Sequence, residues 1–112
     1  MSSLENYTIR VNFTRFRLGC HGLYSDLFRQ TKNQKYSSFC PVCKENQLED
    51  EFHLLMICNG YKNLRSELLY DADGTLYYFN KLMSSSDKSV VHRTGRFIND
   101  AMVRRKNIVE NT

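Results

Sequence analysis

No stretch of this 112-residue chain stays apolar for the roughly 18–20 residues that a membrane span needs, so no membrane-spanning helix is expected. The start, Met1-Ser2-Ser3-Leu4-Glu5, lacks the basic and apolar regions of a secretory signal. An intracellular compartment, cytoplasm or nucleus, is therefore expected, and there clustered cysteines read as metal ligands rather than disulfides. The N-x-T triplets at Asn6 and Asn12 then read as chance matches. Internal repeats and low-complexity tracts are absent, as is Trp, and proline occurs once, at Pro41. No nucleophile–base pair or phosphate-cradling glycine loop occurs, and the chain is not expected to be an enzyme. Asp71-Ala72-Asp73-Gly74 lacks the second carboxylate set of a two-metal site and the Gly and Glu of a calcium loop, so it reads as a turn.

What is present suits one small globular domain spanning residues 1–112. Hydrophobic residues make up 41% and charged residues 25%, a folded composition with seven Phe and seven Tyr. Chains of this size bury a modest core and often need a metal, a disulfide or a partner. The net charge of +4 is unevenly spread. Residues 1–39 carry +4, residues 40–80 carry −4 and residues 81–112 carry +4. A polyanionic partner should meet the basic flanks.

The periodicity is mainly helical. A first helix over residues 3–18, with a Ser cap, places Leu4, Tyr7, Val11 and Leu18 on one face and Phe13 and Phe16 beside them. Ile9, Val11 and Phe13 also alternate as in a strand, but the helical pattern covers more residues. Gly19 breaks this element, and a second helix over about 21–30 buries Leu23, Leu27 and Phe28. Phe39 to Lys44 forms a tight turn around Pro41. Leu48 to Ile57 reads as a helix whose first turn carries Glu49, Asp50 and Glu51, with Asn59-Gly60 as its stop. Further helices follow over Tyr61 to Tyr70, from a Thr75 cap to Met83, and from a Ser86 or Asp87 cap to about residue 106. The last one buries Val90, Val91, Thr94, Phe97, Ile98, Ala101 and Met102.

The chemistry lies in Cys40-Pro41-Val42-Cys43, followed by His53 and Cys58, which together read C-x2-C-x9-H-x4-C. Two cysteines two apart turn their sulfurs to one side of a knuckle. His53 and Cys58 lie more than one α-helical turn apart, so Cys58 is expected where the helix frays. A Cys3His set closes a tetrahedral zinc site with no room for water, which makes one structural Zn2+ the expected cofactor. Buried thiols around an ordinary helix histidine are the bland alternative; four ligands at finger-like spacing outweigh it. Cys20 and His21 read as a buried thiol and a capping or core histidine, and His92 as a surface residue.

The segment Arg17-Leu18-Gly19-Cys20-His21-Gly22-Leu23 precedes the knuckle. Glu49-Asp50 leads through His53 and Leu55 to Cys58, and Tyr61 is followed four residues on by Arg65. This succession resembles the zinc-binding domain in the C-terminal tail of non-LTR retrotransposon reverse transcriptases. The likeness covers about residues 10–70, and no polymerase or endonuclease motif accompanies it. It implies a non-catalytic module that contacts RNA or DNA and carries over Cys40, Cys43, His53 and Cys58 as zinc ligands.

The expected architecture is thus a small zinc-stapled helical domain, with a zinc-binding core over about residues 16–70 and a basic C-terminal helix over about 86–107. Arg10, Arg15 and Arg17 on the first helix, and Arg93, Arg96, Arg104, Arg105 and Lys106 on the last, are the candidate contacts to RNA or DNA. The second reading is a structural or protein-interaction domain, in which a helix face meets a protein partner or a second copy of the chain.

Overall fold

The computed structural model describes residues 3–110, apart from 38 and 72. Among the described residues five α-helices hold the fold: α1 Ser3–Arg17, α2 Tyr24–Thr31, α3 Lys62–Leu68, α4 Phe79–Ser84 and α5 Lys88–Glu110. No strand forms among the described residues; a single antiparallel bridge joins Tyr70 and Leu76. The mainly α architecture expected from the periodicity is the one observed, with the four zinc ligands gathered at its centre.

The longest element, α5, is the spine. Asp87 starts it, its Oδ1 accepting from the amides of Ser89 and Val90, which satisfies two of the free donors of a helix start. Val90, Thr94, Phe97, Ile98 and Ala101 are buried along one face, at the spacing of a helical stripe. Helix α1 crosses this face at Gly95, where a Cβ would lie 2.6 Å from Ile9 Cγ2. Glycine is therefore the residue that lets the two backbones approach. Asn12 donates to Asn99 Oδ1 at 3.2 Å beside the crossing.

That crossing decides which face of α1 is buried. Ile9, Phe13 and Phe16 point inward, whereas Tyr7 is 61% and Leu18 71% exposed. The expected stripe through Tyr7, Val11 and Leu18 is thus corrected to nearly the opposite face of the helix, on which Ile9, Phe13 and Phe16 lie. The Ser cap and Leu4 lie outside the residues whose side chains are described.

Two other elements differ from expectation. The turn at Asp71 is held by its own carboxylate, which accepts from the amides of Asp73 and Thr75. Tyr77 N then donates to Leu69 O at 3.0 Å. This pairing keeps residues 75–77 extended, so α4 begins at Phe79 rather than at a Thr75 cap. Helix α2 begins at Tyr24, later than expected, and its opening amides are satisfied from a distance. Tyr24 N donates to Glu49 Oε1 and Ser25 N to Glu49 O, each at 2.9 Å.

Replacing Gly95 with Leu adds bulk where α1 crosses α5. Although Leu is the better helix former, Gly95→Leu is expected to lower stability by about 2–3 kcal/mol through overpacking. Denaturant unfolding of the zinc-loaded protein measures this.

Candidate metal centre

Cys40 and Cys43 sit on a tight knuckle. Lys44 N returns to Cys40 O at 2.9 Å and Cys40 N reaches Glu45 O at 3.3 Å, with Lys44 in the left-handed region at φ 60°. The loop thereby folds back on itself and presents both sulfurs to one side.

His53 and Cys58 come from the facing segment, which is a π-helical turn over His53–Ile57. Asp50 starts it by accepting from His53 N through its side chain at 2.8 Å. Cys58 N then donates to His53 O at 2.8 Å, an i to i+5 bond. The wider π turn brings residues five apart onto the same side. Cys58 therefore reaches the site at the end of a closed turn, not by the fraying expected from α-helical spacing. Asn59-Gly60 continues as a 3-10 turn to Tyr61. Gly60 does not serve as a left-handed stop; a Cβ there would meet Val42 Cγ1 at 2.3 Å, so it admits the knuckle.

The ligand atoms of Cys40, Cys43, His53 and Cys58 all lie within 4.8 Å of one another. Cys40 Sγ is 3.9 Å from Cys58 Sγ, and Cys43 Sγ is 3.4 Å from His53 Nε2. A tetrahedral zinc ion with Zn–S bonds of about 2.3 Å and Zn–N bonds of about 2.0–2.1 Å sets such pairs about 3.8 Å and 3.6 Å apart. His53 is buried, and its Nδ1 has no hydrogen-bond partner. The set fits one structural zinc ion.

The electrostatics agree. Burial lowers the pKa of His53, keeping the imidazole in the neutral form that ligates a metal. The hydrogen bond between Cys40 and Cys58 raises the pKa of Cys40 and lowers that of Cys58. Burial raises the pKa of Cys43. Three thiols this close need a dication to ionise together.

Arg65 completes the centre. It is buried, and its guanidinium donates to Leu55 O at 2.6 Å, Leu54 O at 3.0 Å and Cys58 O at 3.1 Å. These are carbonyls at the end of the π turn, which a helix C-terminus leaves short of donors. Among the described ion pairs, no carboxylate faces Arg65. A dication with three thiolates carries a net charge of about −1, which balances the guanidinium. The spacing from Tyr61 to Arg65 was visible in the sequence, but nothing there assigned the arginine this task.

The other candidate residues part company. Arg105 makes a two-pronged bond to Glu49, 2.8 Å on each arm, with side chains 12% and 1% exposed. It is an internal ion pair, which corrects its reading as a phosphate contact; Glu49 likewise does more than face a helix dipole. Arg104 donates to Gly60 O and Asn63 Oδ1, and Arg93 to Tyr70 O. Arg17 reaches Ser85 O and lies 3.9 Å over the Phe13 ring. Arg96 sits 3.9 Å from Asp100 on the surface. Arg10, Arg15 and Lys106 are exposed, as is His92. Cys20 is exposed rather than buried. His21 is a core histidine rather than a helix cap: its side chain is buried, Nδ1 accepts from Leu23 N at 3.1 Å before α2 begins, and Nε2 bonds Glu51 Oε1 at 2.8 Å.

No protein-family model matches the chain, and neither a curated protein nor a solved structure matches it.

One zinc per chain is expected by native mass spectrometry, lost in His53→Ala. A strong chelator is expected to unfold the protein cooperatively, because finger-type sites contribute about 10–16 kcal/mol near neutral pH. Protons compete for the sulfurs and the imidazole, so zinc retention should fall as pH falls. Arg65→Met strands three carbonyls, and a loss of about 3 kcal/mol is expected in thermal unfolding of the zinc-loaded protein.

Proposed function

We propose that this zinc-stabilised domain is a non-catalytic nucleic-acid-binding module, similar in role to the zinc-binding tail of non-LTR retrotransposon reverse transcriptases. The observation that carries the reading is that both basic helices keep cations left over once the fold has engaged its own. Arg10 and Arg15 on α1 and Lys88 and Lys106 on α5 are exposed and enter none of the described ion pairs. Such residues are free to meet phosphates. The non-catalytic part of the reading is supported by the donor set, because four protein ligands leave zinc no open position for a reacting water. The knuckle has acidic neighbours, Glu45, Asp50 and Glu51, which favours the helices over the zinc loop as the contact.

A protein-interaction role is the second reading, and one observation favours it. Phe52, exposed beside the zinc site, stacks edge-on with Phe79 at 5.3 Å, and Tyr78 next to it is 81% exposed.

Titration of the zinc-loaded protein with RNA and DNA across a salt series separates the two. The nucleic-acid reading expects binding at low salt and a steep linear fall of log affinity with log salt, about 0.9 per phosphate neutralised on duplex DNA and about 0.7 on single strands. Absence of binding to either at low salt would leave only the interaction role.

A further inference from the structure

Beside the α1–α5 crossing lies a groove of about 550 Å³. Its floor is apolar, made by Ile9, Phe13 and Val91, and its rim is cationic or basic, made by Arg10, Lys88 and His92. No carboxylate is among the described side chains that line it. Asp87, the nearest acid in sequence, is engaged in capping α5. Arg10 also borders a shallow hollow on the outer side of α1, which it shares with Tyr7, Val11 and Arg15. Tyr7, at 61% exposure, is among the most exposed large side chains in the described fold. One arginine thus joins two depressions into a track running from Lys88 and His92 to Tyr7 and Arg15.

The chemistry of that track is specific. Its cations take phosphates spaced along a chain. Its uncovered phenol ring takes a flat apolar face, and base–aromatic stacking supplies affinity that does not depend on salt. A duplex presents the phosphates but keeps its base faces inside the stack; an unpaired strand presents both. Phe13 does not serve as a stacking platform, since it is buried and its ring is covered by Arg17. We infer that this track seats an unpaired nucleic-acid strand, with phosphates on Arg10, Arg15 and Lys88 and a base against Tyr7. The inference rests on the nucleic-acid reading above and names its site and strandedness.

Fluorescence anisotropy tests it, using the zinc-loaded full chain with labelled single-stranded RNA, single-stranded DNA and duplex DNA of one sequence over a sodium chloride series. At least tenfold tighter binding to single strands is expected. Arg10→Ala and Lys88→Ala should each reduce the salt slope by about 1. Tyr7→Ala should weaken single-strand binding about tenfold and leave the slope unchanged. Lys35→Ala and Lys62→Ala, exposed cations elsewhere, should leave slopes at the wild-type value, and zinc content and melting temperature confirm that each variant is folded. Equal affinity for duplex and single strand, or slopes unmoved by Arg10→Ala and Lys88→Ala, overturns the track while leaving nucleic-acid binding intact. Displacement of the strand by polyglutamate as readily as by unlabelled strand reveals a plain anion site and also overturns it. No binding by the wild type at low salt overturns both this inference and the reading it rests on.

Discussion

The i to i+5 hydrogen bond from Cys58 to His53 is the constraint on which the rest of the structure turns. An α-helix would place a residue five further on well round the cylinder, and the fourth ligand would face away from the knuckle. The π turn removes that mismatch and leaves carbonyls at its end that need donors. Arg65 supplies them from α3. The guanidinium in turn is buried, no carboxylate meets it among the described ion pairs, and a dication held by three thiolates would balance its charge. Turn, ion and arginine are each unfavourable alone and tolerable together.

The centre is also wired to the spine. Tyr61, three residues past the last ligand, meets Phe97 of α5 edge-on at 6.3 Å. Arg104 holds Gly60 O at 2.8 Å, and Arg105 holds Glu49, whose Oε1 also receives Tyr24 N. One carboxylate therefore joins the knuckle side, α2 and α5. Removing one partner from such a buried pair typically costs about 3–5 kcal/mol, because the other charge is left unpaired. Loss of the metal would release all three elements, since the net stability of a whole domain is only about 5–15 kcal/mol.

The zinc ligands were legible in the sequence because their signal is chemical: few residue types bind zinc, and their spacing limits the geometry. The course of α5 was legible because a long amphipathic stripe with an aspartate before it admits little else. The buried face of α1 was not. Two helical stripes compete there, through Tyr7–Val11 and through Ile9–Phe13–Phe16, and the choice depends on a glycine some eighty residues further along the chain that lets the second stripe approach. The fates of the arginines were hidden for the same reason. Arg104, Arg105 and Lys106 are consecutive and alike in composition, yet the first two turn inward to partners at 60 and 49, positions far off in sequence. Local pattern carries no information about a partner that distant.

The contact between Gly60 and Val42 ties the two halves of the metal loop together by shape alone. The knuckle side chain fills the space that any other residue at 60 would need for its own first carbon. Residues 42 and 60 thus behave as a lock with one spare volume: a side chain can occupy it from either loop, never from both. Adding a side chain at 60 while Val42 is retained would therefore push the two loops apart.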